Sequence, residues 1–431
     1  MTHVLVLKAA NPAGESSPEM RYLLSDLLLQ VRRAFGAATL LVVGAEEGAG
    51  GSDGAAATLV GHLESDDFSH ALLLGPGDVL LRVPSLRRMA AVCETAAAHE
   101  GGADGEATAA VARRLAVTDL AAGVEVYTLS DFERLEERYL APGSGPAAPP
   151  RAGTTLGDLR PATLVTAAGL RALLAAHPPE ALVGGPGTDD GAPMPDGVTA
   201  VSAGLCHEFI DYYGEVRADV APFLPEGARE VVEVGCGRGA TGRYLQDELG
   251  CRVTGVELNP VVGGEAAGHL HRVVIGNVEE PATVAELEAG LESGAGFDAL
   301  LALELFEHLV EPERFLARVR PLVRPGGRII LSVPNVGHHS VVRDLMAGRW
   351  DYLPIGILCY THYRFYTRRT LADWLARCGF PDAKLVAQRT PPPDWLPVTG
   401  GEAGDGGSAG LGLPLDAESL TTKGFYALLD V

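Results

Sequence analysis

The chain has 431 residues, and since one hydrophobic core rarely organises more than roughly 250–300 residues, two domains are expected. Apolar residues make up 47% and charged residues 21%, which excludes a disordered or collagen-like chain. Lys and Arg number 34 against 56 Asp and Glu; the resulting charge of −22 argues against a nucleic-acid-binding face and against adhesion to anionic lipid.

Cys93, Cys206, Cys236, Cys251, Cys359 and Cys378 are scattered without a C-x-x-C pair, so neither a disulfide framework nor a zinc cluster is expected. The opening MTHVLVLKAANPAGE lacks a basic n-region and a long apolar h-region, and no apolar run approaches the ~20 residues of a membrane span. The expectation is a cytoplasmic protein.

In chain order, HVLVLK, TLLVVG, HALLLG and VEVYTLS read as buried strands. Between them, Met20–Phe35 and Pro84–His99 carry apolar residues at helical spacing, so residues 1–140 read as a small α/β domain with a mostly parallel sheet. Residues 141–196 are rich in Pro, Gly and Ala (APGSGPAAPPRAGT, VGGPGTDDGAPMPDGV) and read as a connector. A catalytic block is expected over 197–431, interrupted by a Gly-rich long loop at 391–420.

The chemistry begins at REVVEVGCGRGATGRYLQDELG: a strand over Val231–Val234, a turn at Gly235, Gly237 and Gly239, and a helix opening near Ala240. Glycines at these places let backbone bend sharply and lie against a ligand with no Cβ in the way. The next strand, CRVTGVELNP, ends in Glu257, 22 residues after Gly235, the usual distance for an acid that takes ribose hydroxyls. The same glycines satisfy a dinucleotide fingerprint, so an NAD(P)-dependent oxidoreductase or epimerase is the rival reading. Glu233 would repel a pyrophosphate but suits a ligand carrying ammonium and sulfonium groups. Lys384 and Lys423 are the only lysines of this block, which leaves little for a hydride-relay pair.

HRVVIGNVEEP, presenting Asn277 and Val278, and FDALLALELFEHLVEPERFLARVRPLVRPGGRIILSVPN complete an ordered set that resembles the class I S-adenosylmethionine-dependent methyltransferases over roughly 205–390. YYGEVRADVAPFLPEGAREVVEVGCG, SVPNVGHHSVV, GRWDY and GILCYTHYRFYTRRTLADWLARCGF are similar to the subgroup associated with glycosyltransferases and with sugar, glycan or natural-product modification. Here Cys359-Tyr360 replaces that subgroup's Asp-Arg, and Asn277 replaces its adenine-side Asp. The resemblance implies a Rossmann-like, doubly wound domain of seven strands, with AKLVAQR and GFYALLDV as an antiparallel edge hairpin. It also implies S-adenosylmethionine as cofactor and O-methylation of a sugar or glycosylated small molecule, with N-, C- or peptide methylation as alternatives. DDFSHALLLGPGDVLL is weakly similar to the nucleotide-sugar half of a glycosyltransferase-A fold, with GPGD where that family has D-x-D. The N-terminal domain is thus a candidate for docking or assembly, including a homo-oligomer.

Cofactor contact is expected at Tyr213, Glu233, Gly235, Cys236, Gly237, Gly239, Glu257, Leu258, Asn277 and Val278. Tyr212 or Tyr213 would cover the methionine end, and Cys236, with no basic neighbour in sequence, is a filler rather than a nucleophile. A hydroxyl acceptor needs a base, and His308, His338, His339 and His362 are the candidates. Trp350, Tyr352, Tyr363 and Phe365 would line the acceptor wall. No metal site is expected: adjacent His338 and His339 point apart, and no carboxylate stands at helical spacing from them.

Overall fold

A computed structural model describes the chain apart from residues 1, 10–17, 44–51, 76–78, 100–106, 116–125, 141–154, 160–161, 185–187, 197, 209–212, 292–295 and 393–415. It divides into two compact units, Met1–Ile210 and Asp211–Val431.

The first unit holds β1 (Thr2–Ala9), β2 (Gly36–Val43), β3 (His70–Leu74), β4 (Val79–Leu80), β5 (Ala107–Leu115), β6 (Ala162–Thr166) and β7 (Val198–Glu208) in one sheet ordered β2-β1-β3-β6-β5-β7-β4. Helices Pro18–Phe35 and Val83–His99 form where the apolar spacing places them. The parallel β2-β1-β3 layer is flanked by antiparallel β6, so the sheet is mixed rather than mostly parallel. Three expectations need correction. The stretch read as a connector contributes β6, buried between β3 and β5, followed by a helix Ala167–Ala176 that Thr166 caps through the Gly169 N–H. Val198–Glu208, placed in the catalytic block, is β7 of this sheet. VEVYTLS is not a strand where it is described: the Asp131 carboxylate accepts from the Tyr127 and Thr128 amides and helps to start the helix Leu129–Leu140. Most of GPGD lies outside the described residues.

The second unit holds β8 (Glu230–Val234), β9 (Arg252–Glu257), β10 (Arg272–Ile275), β11 (Phe297–Leu303), β12 (Val323–Pro334), β13 (Lys384–Arg389) and β14 (Thr422–Asp430), ordered β10-β9-β8-β11-β12-β14-β13. Strands β8 to β12 run parallel; β14 lies antiparallel between β12 and β13. The seven-stranded sheet matches the expectation, with β14 inserted one place in from the edge. Strand order reverses at β8 and β11, and ligands of open α/β sheets sit outside the strand C-termini at such a switch. Val232, Val234, Leu300, Ala302, Ile329 and Leu331 bury one face of this sheet, while Val231, Val253, Ala299, Leu301 and Ile330 bury the other. That two-sided burial is why Ala299–Leu303 of β11 and Ile329–Leu331 of β12 read as continuous apolar runs.

Candidate active site

At the end of β8 the backbone turns through Gly235, Gly237 and Gly239, all left-handed, with φ of 75°, 53° and 78°. The Gly235 and Cys236 amides both donate to the Val256 carbonyl, at 2.8 and 3.1 Å, which locks the turn to β9. At Gly237 a Cβ would stand 2.5 Å from the Tyr213 carbonyl oxygen, so a side chain is excluded by contact as well as by conformation. The same carbonyl accepts from the Arg238 amide at 2.9 Å, so Tyr213 meets the turn through its backbone. Tyr212 lies outside the described residues.

Glu257, at the end of β9, is buried and accepts from Gly237 N–H at 3.0 Å and Asn259 N–H at 2.9 Å. The carboxylate thus ties the glycine turn to the next loop. Glu233 is buried beneath the turn, against the start of helix Ala240–Leu249, and its Oε2 has no hydrogen-bond partner. Burial pushes its carboxyl up to about 8; Glu257 adds to this, while the Gly242 amide and Thr241 hydroxyl oppose it. A cation at the turn would restore the carboxylate.

The Cys236 thiol is turned into the core over Gly255, where burial raises it far above its ordinary value, and it donates to the Gly237 carbonyl at 3.7 Å. Leu258 is 68% exposed, an unusual state for leucine, and Ile275, half-exposed, pairs with Glu257 in register. Asn277 closes a local turn, its Oδ1 accepting from Glu279 N–H at 2.9 Å, while Val278 packs into the main core.

After β11, Glu304 has a left-handed φ of 47°, a strained state for a non-glycine residue, held by the Ser332 hydroxyl, which receives the Glu304 amide and donates to its carboxylate. Partly buried Arg217 faces Glu304 at 3.7 Å and also bonds Asp219 and the Tyr426 hydroxyl. Burial alone would weaken its charge, but Glu304, Tyr426 and Asp219 hold it cationic. Sequence reasoning passed over both residues: each is an ordinary surface type in sequence, and only folding brings Arg217 to the strand ends.

Glu307 is fully buried with neither oxygen hydrogen-bonded. Its carbonyl accepts from the Tyr363 amide at 2.9 Å, which brings His362 over it. His362 Nδ1 lies 3.0 Å from the Ile357 carbonyl and so carries the proton, leaving Nε2 bare and 3.8 Å from Glu307 Oε1. The His308 ring stands edge-on to His362 at 4.5 Å between centroids. Burial and His308 push His362 down to about 3, while burial and Glu304 raise Glu307 well above a normal carboxyl. One ligand atom from each of Glu307, His308 and His362 lies within 4.8 Å of the others, a spacing that could hold a metal ion. Sequence gave no sign of this grouping, because Glu307-His308 and His362 are 54 residues apart and leave no spacing signal.

Of the other histidines, His338 is the buried N-cap of helix His339–Met346; its Nδ1 accepts from Ser340 N–H and its Nε2 meets the Thr390 hydroxyl at 3.2 Å. Burial pushes it down to about 3. His339 stacks on it at 4.1 Å. His338 thus occupies a capping position at the start of this helix. Trp350 and Phe365 pack edge-to-face at 5.2 Å, and Tyr363 is 67% exposed beside His362. Cys359 is buried, its sulfur 3.1 Å from the Pro354 carbonyl and from Thr361 Oγ1.

Residues 207–385 match the model of a family described as a methyltransferase domain. A ubiquinone biosynthesis O-methyltransferase of Burkholderia thailandensis is 31% identical over 37% of this chain and 67% of its own length. The enzyme of that name from Xanthomonas axonopodis is 29% identical over 36% of this chain and 63% of its own. A SAM-dependent methyltransferase structure from Archaeoglobus fulgidus covers 49% of this chain and 90% of its own at 17% identity and a TM-score of 0.35. The chain belongs to the class I S-adenosylmethionine-dependent methyltransferases, and S-adenosylmethionine is its cofactor. The dinucleotide reading is set aside. The aligned segment spans about two thirds of the length of these relatives. Among the described residues no helix is long and apolar enough to cross a membrane.

Proposed function

We propose that the second unit transfers the methyl group of S-adenosylmethionine to a hydroxyl oxygen of a small molecule, with the acceptor held at Glu307, His308 and His362. The observation that carries this reading is the buried Glu307 carboxyl with both oxygens unpartnered beside two imidazoles. A buried acid in that state must take a proton or a cation, and a divalent cation here would lower the pKa of a bound hydroxyl. The rest of the reaction is positioning, since displacement at a sulfonium needs the two reactants in line.

In this reading the cofactor lies over the glycine turn. Glu257 takes its ribose, Glu233 faces its cationic end, Arg217 takes the methionine carboxylate, and Leu258 with Ile275 offers apolar surface to adenine. The acceptor is proposed to be a sugar, glycoside or natural product, on the strength of the subgroup motifs and of exposed Tyr352 and Tyr363, which suit stacking. The relatives named for ubiquinone biosynthesis favour a second reading, a phenolic hydroxyl. A methyl-transfer screen with radiolabelled cofactor over glycosides, sugar nucleotides, catechols and peptides decides between them. Transfer to peptide nitrogen alone would overturn the O-methyltransferase reading.

A further inference from the structure

In the first unit, at the end of the sheet opposite the C-terminus of β1, three side chains from three separate elements converge: His3 near the start of β1, His62 in the last turn of helix Ser52–Ser65, and Asp67 in the loop that follows. His62 Nδ1 and Asp67 Oδ1 are 2.7 Å apart, and the His3 and His62 rings meet edge-on at 5.2 Å. One ligand atom from each lies within 4.8 Å of the other two.

A plain helix-end ion pair would need only His62 and Asp67. Here the surroundings also fix His3 and the loop. His3 Nε2 is 2.9 Å from Thr39 Oγ1, an outer-sphere bond of the sort that sets the tautomer and angle of a ligating imidazole. The His3 carbonyl accepts from the Ser69 amide at 2.9 Å, which holds β1 to the loop. Asp66 has a left-handed φ of 51°, uncommon outside glycine. Arg171 fixes it there, bonding the Asp66 carboxylate at 2.6 Å and the Leu63 carbonyl at 3.2 Å while lying over the Phe68 ring. The ligand-bearing loop is thereby held in place.

We propose that the first unit binds one divalent transition-metal ion of the zinc class through His3, His62 and Asp67. Two imidazoles and one carboxylate select zinc, cobalt, nickel or copper over magnesium and calcium, which prefer all-oxygen shells. Three protein ligands leave a tetrahedral position for water or an external ligand. The half-exposed Asp67 puts that position within reach of solvent.

The test uses tag-free, full-length, chelator-treated protein carrying Glu307→Gln, which removes the carboxylate of the other candidate cluster, and Co2+ as probe. The expected result is one bound equivalent with visible d–d bands, displaced by Zn2+. His62→Ala should abolish the bands, and loss of the outer-sphere hydroxyl in Thr39→Val should weaken Co2+ about 10-fold or more. Asp67→Asn, a surface change that leaves packing intact, should also lose the bands and gives the answer if His62→Ala fails to fold. Absence of Co2+ binding in the Glu307→Gln protein, or wild-type binding by folded Asp67→Asn, would overturn the proposal. Failure of the methyltransferase reading would leave it untouched, because activity is not its readout.

Discussion

The proposed cofactor end and the proposed acceptor end of the second unit are built in opposite ways. At the cofactor end, Glu233, three glycines and Glu257 lie within 25 residues, and each does its work through backbone geometry or a strand-end carboxylate. At the acceptor end, the group that matters is assembled from Glu307-His308 and from His362, brought together by hydrogen bonds from the Tyr363 and Arg364 amides to the Glu307 carbonyl. A motif is visible where backbone does the chemistry. Where tertiary contact makes the site, sequence offered His308 and His362 singly but neither their meeting nor the part of Glu307.

The largest expected effect breaks the acceptor end alone. Glu307→Gln should lower turnover by about 10²-fold or more while leaving S-adenosylhomocysteine affinity within about twofold, and His308→Ala should do the same. Steady-state kinetics beside calorimetric titration separates the two. Loss of cofactor binding in either variant would show that the two ends are not independent.

Next comes Gly237→Ala, whose Cβ would meet the Tyr213 carbonyl in a left-handed backbone. Strain of about 1–3 kcal/mol should appear in chemical denaturation, with cofactor affinity reduced. Unchanged stability would mean that the turn relaxes freely. Glu257→Ala should weaken cofactor binding by about 1–3 kcal/mol, because ribose hydroxyls lose their acceptor. Wild-type affinity would place the ribose elsewhere.

Glu233 gives the comparison a pH signature. Its folded pKa, about 8, lies above the ordinary 4.5, so the unliganded protein holds a proton there that the unfolded chain releases. Its contribution to stability is complete below about pH 4.5 and is lost as pH rises towards 8. A cationic ligand favours the carboxylate, so binding expels that proton and affinity should rise between about pH 6 and pH 8, by up to about tenfold per unit. Titrations across that range should show the slope, and Glu233→Gln should abolish it. The smallest effect is His338→Ala, where loss of a cap should cost about 0.5–2 kcal/mol of stability with little change in turnover. A large loss of turnover would return His338 to the list of bases.

Much of this molecule was legible beforehand. The two-sided burial of β11 and β12 prints as the apolar runs Ala299–Leu303 and Ile329–Leu331, and the left-handed glycines print as themselves. β6 was hidden because ATLVT is five residues long and sits amid Pro, Gly and Ala, yet those five fill the gap between β3 and β5. The Ala-rich composition of residues 141–196 looked like a linker, although Leu156, Leu159, Leu164, Leu170 and Leu173 are all core residues. His338 looked like a base because a buried N-cap and a catalytic imidazole are the same letter. Arg217 and Glu304 gave no signal, since an ion pair across 87 residues has no period.

Dependence of methyl transfer on a divalent ion tests the acceptor end most directly. Once the screen has supplied an acceptor, turnover should fall by about 10²-fold after chelation and return on adding Zn2+ or Co2+, with Glu307→Gln insensitive to both treatments. Full activity in the chelated wild-type protein would contradict the account and leave Glu307 as a buried neutral acid beside a histidine base.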